Sequence, residues 1–140
     1  MTDEKIKTAI ELWGQINKVY EKFRKAQVKT IFEADLTVPQ YGVLEVLLNE
    51  GPMTLKKIGE RLFVSGANIT CVIDNLEKEG FVRRVPSNVD RRMILAELTD
   101  EGKNKIEALY PQNSKNIYET ASMLNTVEQA ELQNLLAKFD

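Results

Sequence analysis

The sequence predicts a mainly α fold carrying one small β-hairpin, and three observations predict it. Apolar residues recur at three- and four-residue spacing along most of the chain, the signature of amphipathic helices. Residues 54–99 depart from that pattern once, where FVRRV and MILAEL, rich in β-branched and apolar residues, flank the loop-forming PSNVDRR. Good helix-capping residues stand at Thr37, Thr54, Ser65, Thr99 and Thr126, each just ahead of an apolar stripe. Two short helices followed by a hairpin with a charged tip make a winged helix-turn-helix over residues 37–99. The long helices before and after it, residues 4–33 and 100–140, form a helical layer in the same single domain, 1–140.

Residues 4–33 form one helix with Ala9, Trp13, Ile16, Tyr20, Phe23, Ile31 and Phe32 in its apolar stripe. Thirty residues span about 45 Å, longer than a domain of this size covers alone, so part of the stripe is expected to pack on a second copy. Lys22, Arg24, Lys25 and Lys29 form a basic cluster on this helix; a solvated face is its ordinary reading and a phosphate contact its functional one. Thr37-Val38-Pro39-Gln40 is a capping box with a proline in the first turn, opening a helix that turns Tyr41, Val43, Leu44, Leu47 and Leu48 inward until Gly51-Pro52.

Thr54 then caps a helix with Leu55, Ile58 and Leu62 on one face, and Phe63-Val64 make the turn. Ser65 caps the next, which buries Ile69, Val72, Ile73 and Leu76 before Gly80 supplies a left-handed cap. At about 100° per residue, Ala67, Asn68, Cys71, Asp74, Asn75 and Lys78 lie on the opposite, outward arc. After the hairpin, Thr99 caps a helix with Ile106, Leu109 and Tyr110; Pro111 is expected to bend or interrupt it before it resumes through Ile117, Ala121 and Leu124. Thr126-Val127-Glu128-Gln129 reads as a second capping box, opening a last helix with Leu132, Leu135, Leu136 and Phe139 on one side. Apolar stripes at both ends of the chain are what a homodimerisation layer requires.

At 140 residues and 43% hydrophobic content the chain suffices for one ordinary core. A single cysteine excludes an intramolecular disulfide, and the absence of histidine excludes Cys/His metal spacing and Ser/His or Cys/His catalysis. No catalytic, metal or cofactor site is expected. No export signal and no run of about 20 apolar residues stands out, which makes the cytoplasm the expected location and a membrane an unexpected partner. The net charge of −2 is unusual for a protein that must neutralise phosphates, but it is unevenly distributed. Residues 81–95 carry Arg83, Arg84, Arg91 and Arg92 against Asp90 alone, a local charge of +3.

Three stretches resemble the MarR family of bacterial transcription regulators: LTVPQYGVLEVLLNEGPMTLKKIGERLFVS, the helix SGANITCVIDNLEKEG and, most specifically, DRRMILAELTDEG. The last is similar to the family's Asp-x-Arg wing followed by its Leu-Thr-x-x-Gly helix start. The resemblance implies a homodimer whose terminal helices intertwine, placing two recognition helices in consecutive major grooves of a pseudo-palindromic operator. It also implies a cleft that takes small aromatic or phenolic effectors, with Trp13, Tyr20, Tyr41 and Tyr110 as the candidate lining; core packing is the ordinary reading of each.

For duplex DNA, Ser65 and Thr70 are candidates for phosphate or base contact, Asn68 for bidentate contact to adenine, and Ala67, Cys71 and Asn75 share their face. A small, polar first turn lets such a helix approach base edges. On the hairpin, Asp90 can pin the guanidinium of Arg92, which the resemblance maps onto the wing pair for a minor groove. Arg84, Arg91 and Arg83 are phosphate contacts or ion-pair partners within the hairpin. Cys71, on the outward arc, would add bulk or charge there if oxidised. The expected function is an effector-responsive repressor; a winged helix used only for protein–protein contact is the alternative, favoured by the acidic net charge.

Overall fold

The computed structural model describes residues 2–140, as six α-helices, a three-stranded antiparallel sheet and a terminal 3₁₀ turn. The helices are α1 (Asp3–Glu33), α2 (Val38–Glu50), α3 (Leu55–Leu62), α4 (Gly66–Lys78), α5 (Asp100–Ala121) and α6 (Thr126–Leu136). The strands are β1 (Met53–Thr54), β2 (Val82–Pro86) and β3 (Ile94–Leu98), in the order β1-β3-β2. Two compact units result, residues 30–111 and, separately, the residues up to Lys29 together with Gln112–Asp140.

Within residues 30–111 each element starts where a side chain can satisfy its free amides. Thr37 accepts from the Gln40 amide at 3.2 Å while Gln40 accepts from the Thr37 amide at 2.9 Å, the reciprocal box expected for α2. Thr54 and Ser65 accept from the amides of Lys57 and Asn68 and so open α3 and α4. The end of α4 closes as a Schellman motif: Gly80 at φ +81° lets its own N–H reach the Glu77 carbonyl and the Phe81 N–H reach that of Leu76. Thr99 then ties this cap to α5, donating to the Gly80 carbonyl at 2.6 Å and accepting from the Gly102 amide at 3.0 Å. A β-carbon on Gly102 would collide with the Phe81 carbonyl, which is why a glycine follows three residues after that threonine.

The hairpin pairs Val82 with Leu98, Arg84 with Ala96 and Pro86 with Ile94. Strand β1, which sequence reasoning missed, adds Met53 opposite Ala96 and Thr54 opposite Leu95. Against this sheet and the three short helices lies one core, in which Val43, Leu44, Ile58, Ile73, Leu76, Ala96 and Ile106 are fully enclosed. Ile31 and Ile106 belong to it, so the last residues of α1 and the first half of α5 contribute to the winged-helix core.

The terminal unit differs in kind. Among its described residues no apolar side chain is buried; Asn113 is, and it donates to Gln27 across α5 and α1 at 3.1 Å. Two expectations for the C-terminal helices are refined. Of the bend or interruption expected at Pro111 the interruption is absent, since helix α5 runs through it, losing the one hydrogen bond that a proline nitrogen cannot give. The capping box of α6 is Asn125 with Glu128, one residue earlier than Thr126; both residue types cap well, and Asn125 is the one with extended backbone. Gln129, freed from the cap, donates to the carbonyls of Ala121 and Leu124 at 3.1 and 3.0 Å and holds the start of α6 to the end of α5.

Candidate nucleic-acid interface

The inner face of α4 is sealed, with Ile69, Ile73 and Leu76 at 1% exposure or less, and this fixes which residues can face outward. Ala67, Asn68, Cys71, Asn75 and Lys78 are exposed, as the helical angles predict, while Asp74 on the same arc is half-buried; Ser65 and Thr70 are exposed as well. Three of their polar groups are locally engaged. Ser65 caps the helix, the Thr70 hydroxyl donates to the Gly66 carbonyl at 2.9 Å, and the Asn75 amide lies 3.9 Å from the Cys71 sulfur. The Asn68 side chain extends from the first turn, where glycine and alanine neighbours leave it open access.

The hairpin tip is built around Ser87, itself nearly buried. Its hydroxyl oxygen accepts from the amides of Val89 and Asp90, and the Met93 amide donates to the Asp90 carbonyl at 2.9 Å. This fold-back aims the Asp90 carboxylate at Arg92. One of its oxygens takes the Arg92 backbone amide at 3.0 Å and Nε at 3.1 Å, and the other takes Nη2 at 3.2 Å. The guanidinium is thus held in a fork yet remains 91% exposed, a cation fixed in direction and open to a ligand. Arg92 in turn holds the Asp90 carboxyl below its ordinary pKa, through its side-chain and then its backbone hydrogen bonds. Arg91 beside it is exposed.

The other two hairpin arginines are engaged. Arg83 pairs with Glu97 at 2.6 Å, directly across the β2–β3 register. Arg84 does not pair within the hairpin: it bridges Asp74 at 2.7 Å and Glu77 at 2.8 Å on α4, and its backbone amide also reaches Glu77. The Asp74 hydrogen bond above all raises the Arg84 pKa, so the side chain is a permanent cation between two carboxylates. It fastens the hairpin to α4, a role its sequence position hid. Asp74 and Glu77, three apart on one helix face, were the available hint.

The candidate effector residues separate. Trp13 and Tyr20, seven residues apart on α1, are 62% and 64% exposed; Tyr110 is 38% exposed. Tyr41, at 3%, is part of the core of residues 30–111, where the inward face of α2 places it. No helix among the described residues is long and apolar enough to cross a membrane.

Residues 36–94, which hold both the outward arc of α4 and the hairpin tip, match the model of the MarR family. The HTH-type transcriptional regulator YkoM of Bacillus subtilis is 32% identical over 97% of this chain and 88% of its own length. A mutant MarR of E. coli complexed with operator DNA superposes with a TM-score of 0.83 at 26% identity, covering 94% of this chain and 95% of that one. BpsR of Bordetella bronchiseptica, whose DNA binding is regulated by 6-hydroxynicotinic acid, superposes at 0.78 with 25% identity over 90% of each chain. With a relative of that identity along almost its whole length and the family's wing in register, this chain belongs to the MarR family of transcriptional regulators.

Proposed function

We propose that this DNA-binding regulator acts as a homodimer on a pseudo-palindromic operator, as a repressor that a small aromatic effector releases. Asn68, flanked by Ser65, Ala67 and Thr70, reads base edges from the first turn of α4 in the major groove, with Cys71 and Asn75 on the same face. Arg92, oriented by Asp90, enters the adjoining minor groove, and Arg91 contacts phosphate. The observation that carries this reading is the fork between Asp90 and a 91% exposed Arg92. A solvated loop arginine needs no carboxylate to aim it. Arg84 leaves the list of direct contacts, since its guanidinium is spent on Asp74 and Glu77. A purely protein-binding winged helix is not favoured, because the operator complex of the E. coli relative shares this fold over 94% of the chain.

Support for the effector comes from the BpsR likeness and from the two exposed aromatics of α1, Trp13 and Tyr20. Support for the dimer comes from the uncovered apolar stripes of α1 and α6, and the operator binding of the E. coli relative supports a cytoplasmic location beside DNA.

Affinity for a duplex selected from a random DNA pool, measured at several salt concentrations, tests the interface. Arg92→Ala removes a cation, so affinity falls on every duplex and the salt slope shrinks by about one per contacted site. Asn68→Ala removes a base-edge contact worth about 1–3 kcal/mol, relaxing preference at one symmetric pair of positions with the slope intact. Equal losses on all duplexes for Asn68→Ala, or no loss for Arg92→Ala, would sink the assignment.

A further inference from the structure

The two most exposed large apolar side chains among the described residues are Phe63, at 96%, and Val89, at 97%. Neither lies on the terminal helices, where the rest of the strongly exposed apolar surface is concentrated. Phe63 ends α3 in the left-handed region, φ +56°, with its N–H and that of Val64 both donating to the Gly59 carbonyl. That backbone region disfavours any residue with a β-carbon, so an aromatic there gains neither local geometry nor packing from its position. It lines a groove of about 700 Å³ together with Lys56, Glu60, Ser65, Gly66 and Thr70, which places the ring beside the N-terminal turn of α4. Val89 stands at the hairpin tip immediately before Asp90, and its N–H donates to the same Ser87 oxygen that the Asp90 amide uses.

We propose that Phe63 and Val89 are the non-polar contacts of the duplex interface, Phe63 lying against deoxyribose on the strand beside the major groove and Val89 against the sugar wall of the minor groove. This rests on the reading of α4 and the hairpin as the DNA-binding elements. The occupant follows from the neighbours. Each apolar side chain adjoins a cation, Lys56 in the groove of Phe63 and Arg91 and Arg92 beside Val89, and a nucleic-acid backbone alternates phosphate with apolar sugar faces at that scale. Burial of these groups adds affinity without releasing counterions, so it must be independent of salt, and it must make the heat-capacity change of binding more negative.

The full-length protein is titrated with the selected duplex as the parent, Phe63→Gly, Phe63→Asn, Val89→Ser and Arg92→Ala. Glycine and asparagine both suit a positive φ, so the Phe63 variants should melt at or above the parent's Tm. Affinity should fall roughly tenfold for both Phe63 variants and roughly threefold for Val89→Ser, with the salt slope unchanged and the binding heat capacity less negative. Parental affinity in the Phe63 variants, a loss accompanied by a smaller salt slope, or a lowered Tm would each overturn the inference. If Arg92→Ala loses affinity while the Phe63 variants do not, the inference fails alone. If the parent binds no duplex, or Arg92→Ala binds as the parent does, the DNA-binding reading fails and takes the inference with it.

Discussion

Every buried apolar side chain of the described protein, from Ile31 to Ile106, belongs to residues 30–111. The terminal unit has none, and carries Ile10, Trp13 and Tyr20 on α1 at 62–64% exposure and Leu132, Leu135, Leu136 and Phe139 at the C-terminal end at 40–75%. Both regions are helical and both have clean capping, so local propensity does not separate them. What separates them is where the apolar stripe finds its cover. The winged-helix unit closes on itself around a small sheet; the terminal unit, left as it stands, would expose far more apolar surface than a stable soluble monomer tolerates. In the proposed homodimer a second copy of the same unit supplies that cover by symmetry, since a two-fold interface presents each stripe to its own counterpart.

The largest effect should come from charging the stripe. Leu132→Glu combined with Leu136→Glu places unpaired carboxylates in a groove that Val19, Phe23 and Leu124 also line, and should weaken dimerisation at least about 100-fold. Sedimentation measures the state, and hydrogen exchange then separates the two units. Amide protection should be lost in residues 3–29 and 112–136 and retained in α2, α4 and the hairpin. A folded monomer protected equally throughout would erase the distinction between the units. Deleting residues 126–140 is the coarser form of the same experiment.

A smaller effect probes the self-contained unit. Gly102→Ala drives a methyl into the Phe81 carbonyl at the junction of the α4 cap, the hairpin and α5. Backbone cannot step aside as a flexible side chain does, so stability should fall by about 1–3 kcal/mol or more, read from thermal or denaturant unfolding. Gly14→Ala, with nothing within 4 Å of the added carbon on exposed α1, should be neutral or stabilising. Equal outcomes for the two alanines would show that residues 30–111 are not packed as described.

How much could be read in the sequence follows the same division. The helices of residues 37–78 were legible because each is announced locally, by Thr37 with Gln40, by Ser65 with its stripe, by Gly80 after Leu76. The fork of Asp90 and Arg92 was legible because its partners are two residues apart. Arg84 was misread because Asp74 and Glu77 lie ten and seven residues away on another element, and nothing in the hairpin names them. Strand β1 is two residues long and has no period to detect. Tyr41 satisfies the spacing of a core residue and the chemistry of a ligand contact equally, and only burial decides between them. Phe63 carried a signal that went unused, a large aromatic at a turn position suited to glycine or asparagine.

The smallest predicted effect concerns pH, and its sign follows from the fork at the hairpin tip. The Asp90 carboxyl is held below its ordinary value of 3.8 by Arg92, so the pair contributes order to the tip above that value and loses it as the pH falls through the lower folded-state value. Glu21, held below 4.5 by Arg24 on α1, behaves alike. Both windows lie on the acid side. The chain has no histidine, the one side chain whose unperturbed titration spans neutrality. Operator affinity at fixed ionic strength should therefore be flat between about pH 6 and 8, then weaken only below the ordinary Asp value of 3.8 as the tip loosens. Asp90→Asn keeps the shape of the side chain but cannot hold the guanidinium by charge, so it should remove the acid limb that belongs to the tip while leaving the neutral plateau flat. A tenfold change of affinity between pH 6 and 8 in the parent would mean that a group other than this pair governs the interface, and would detach the hairpin tip from the role that its geometry gives it.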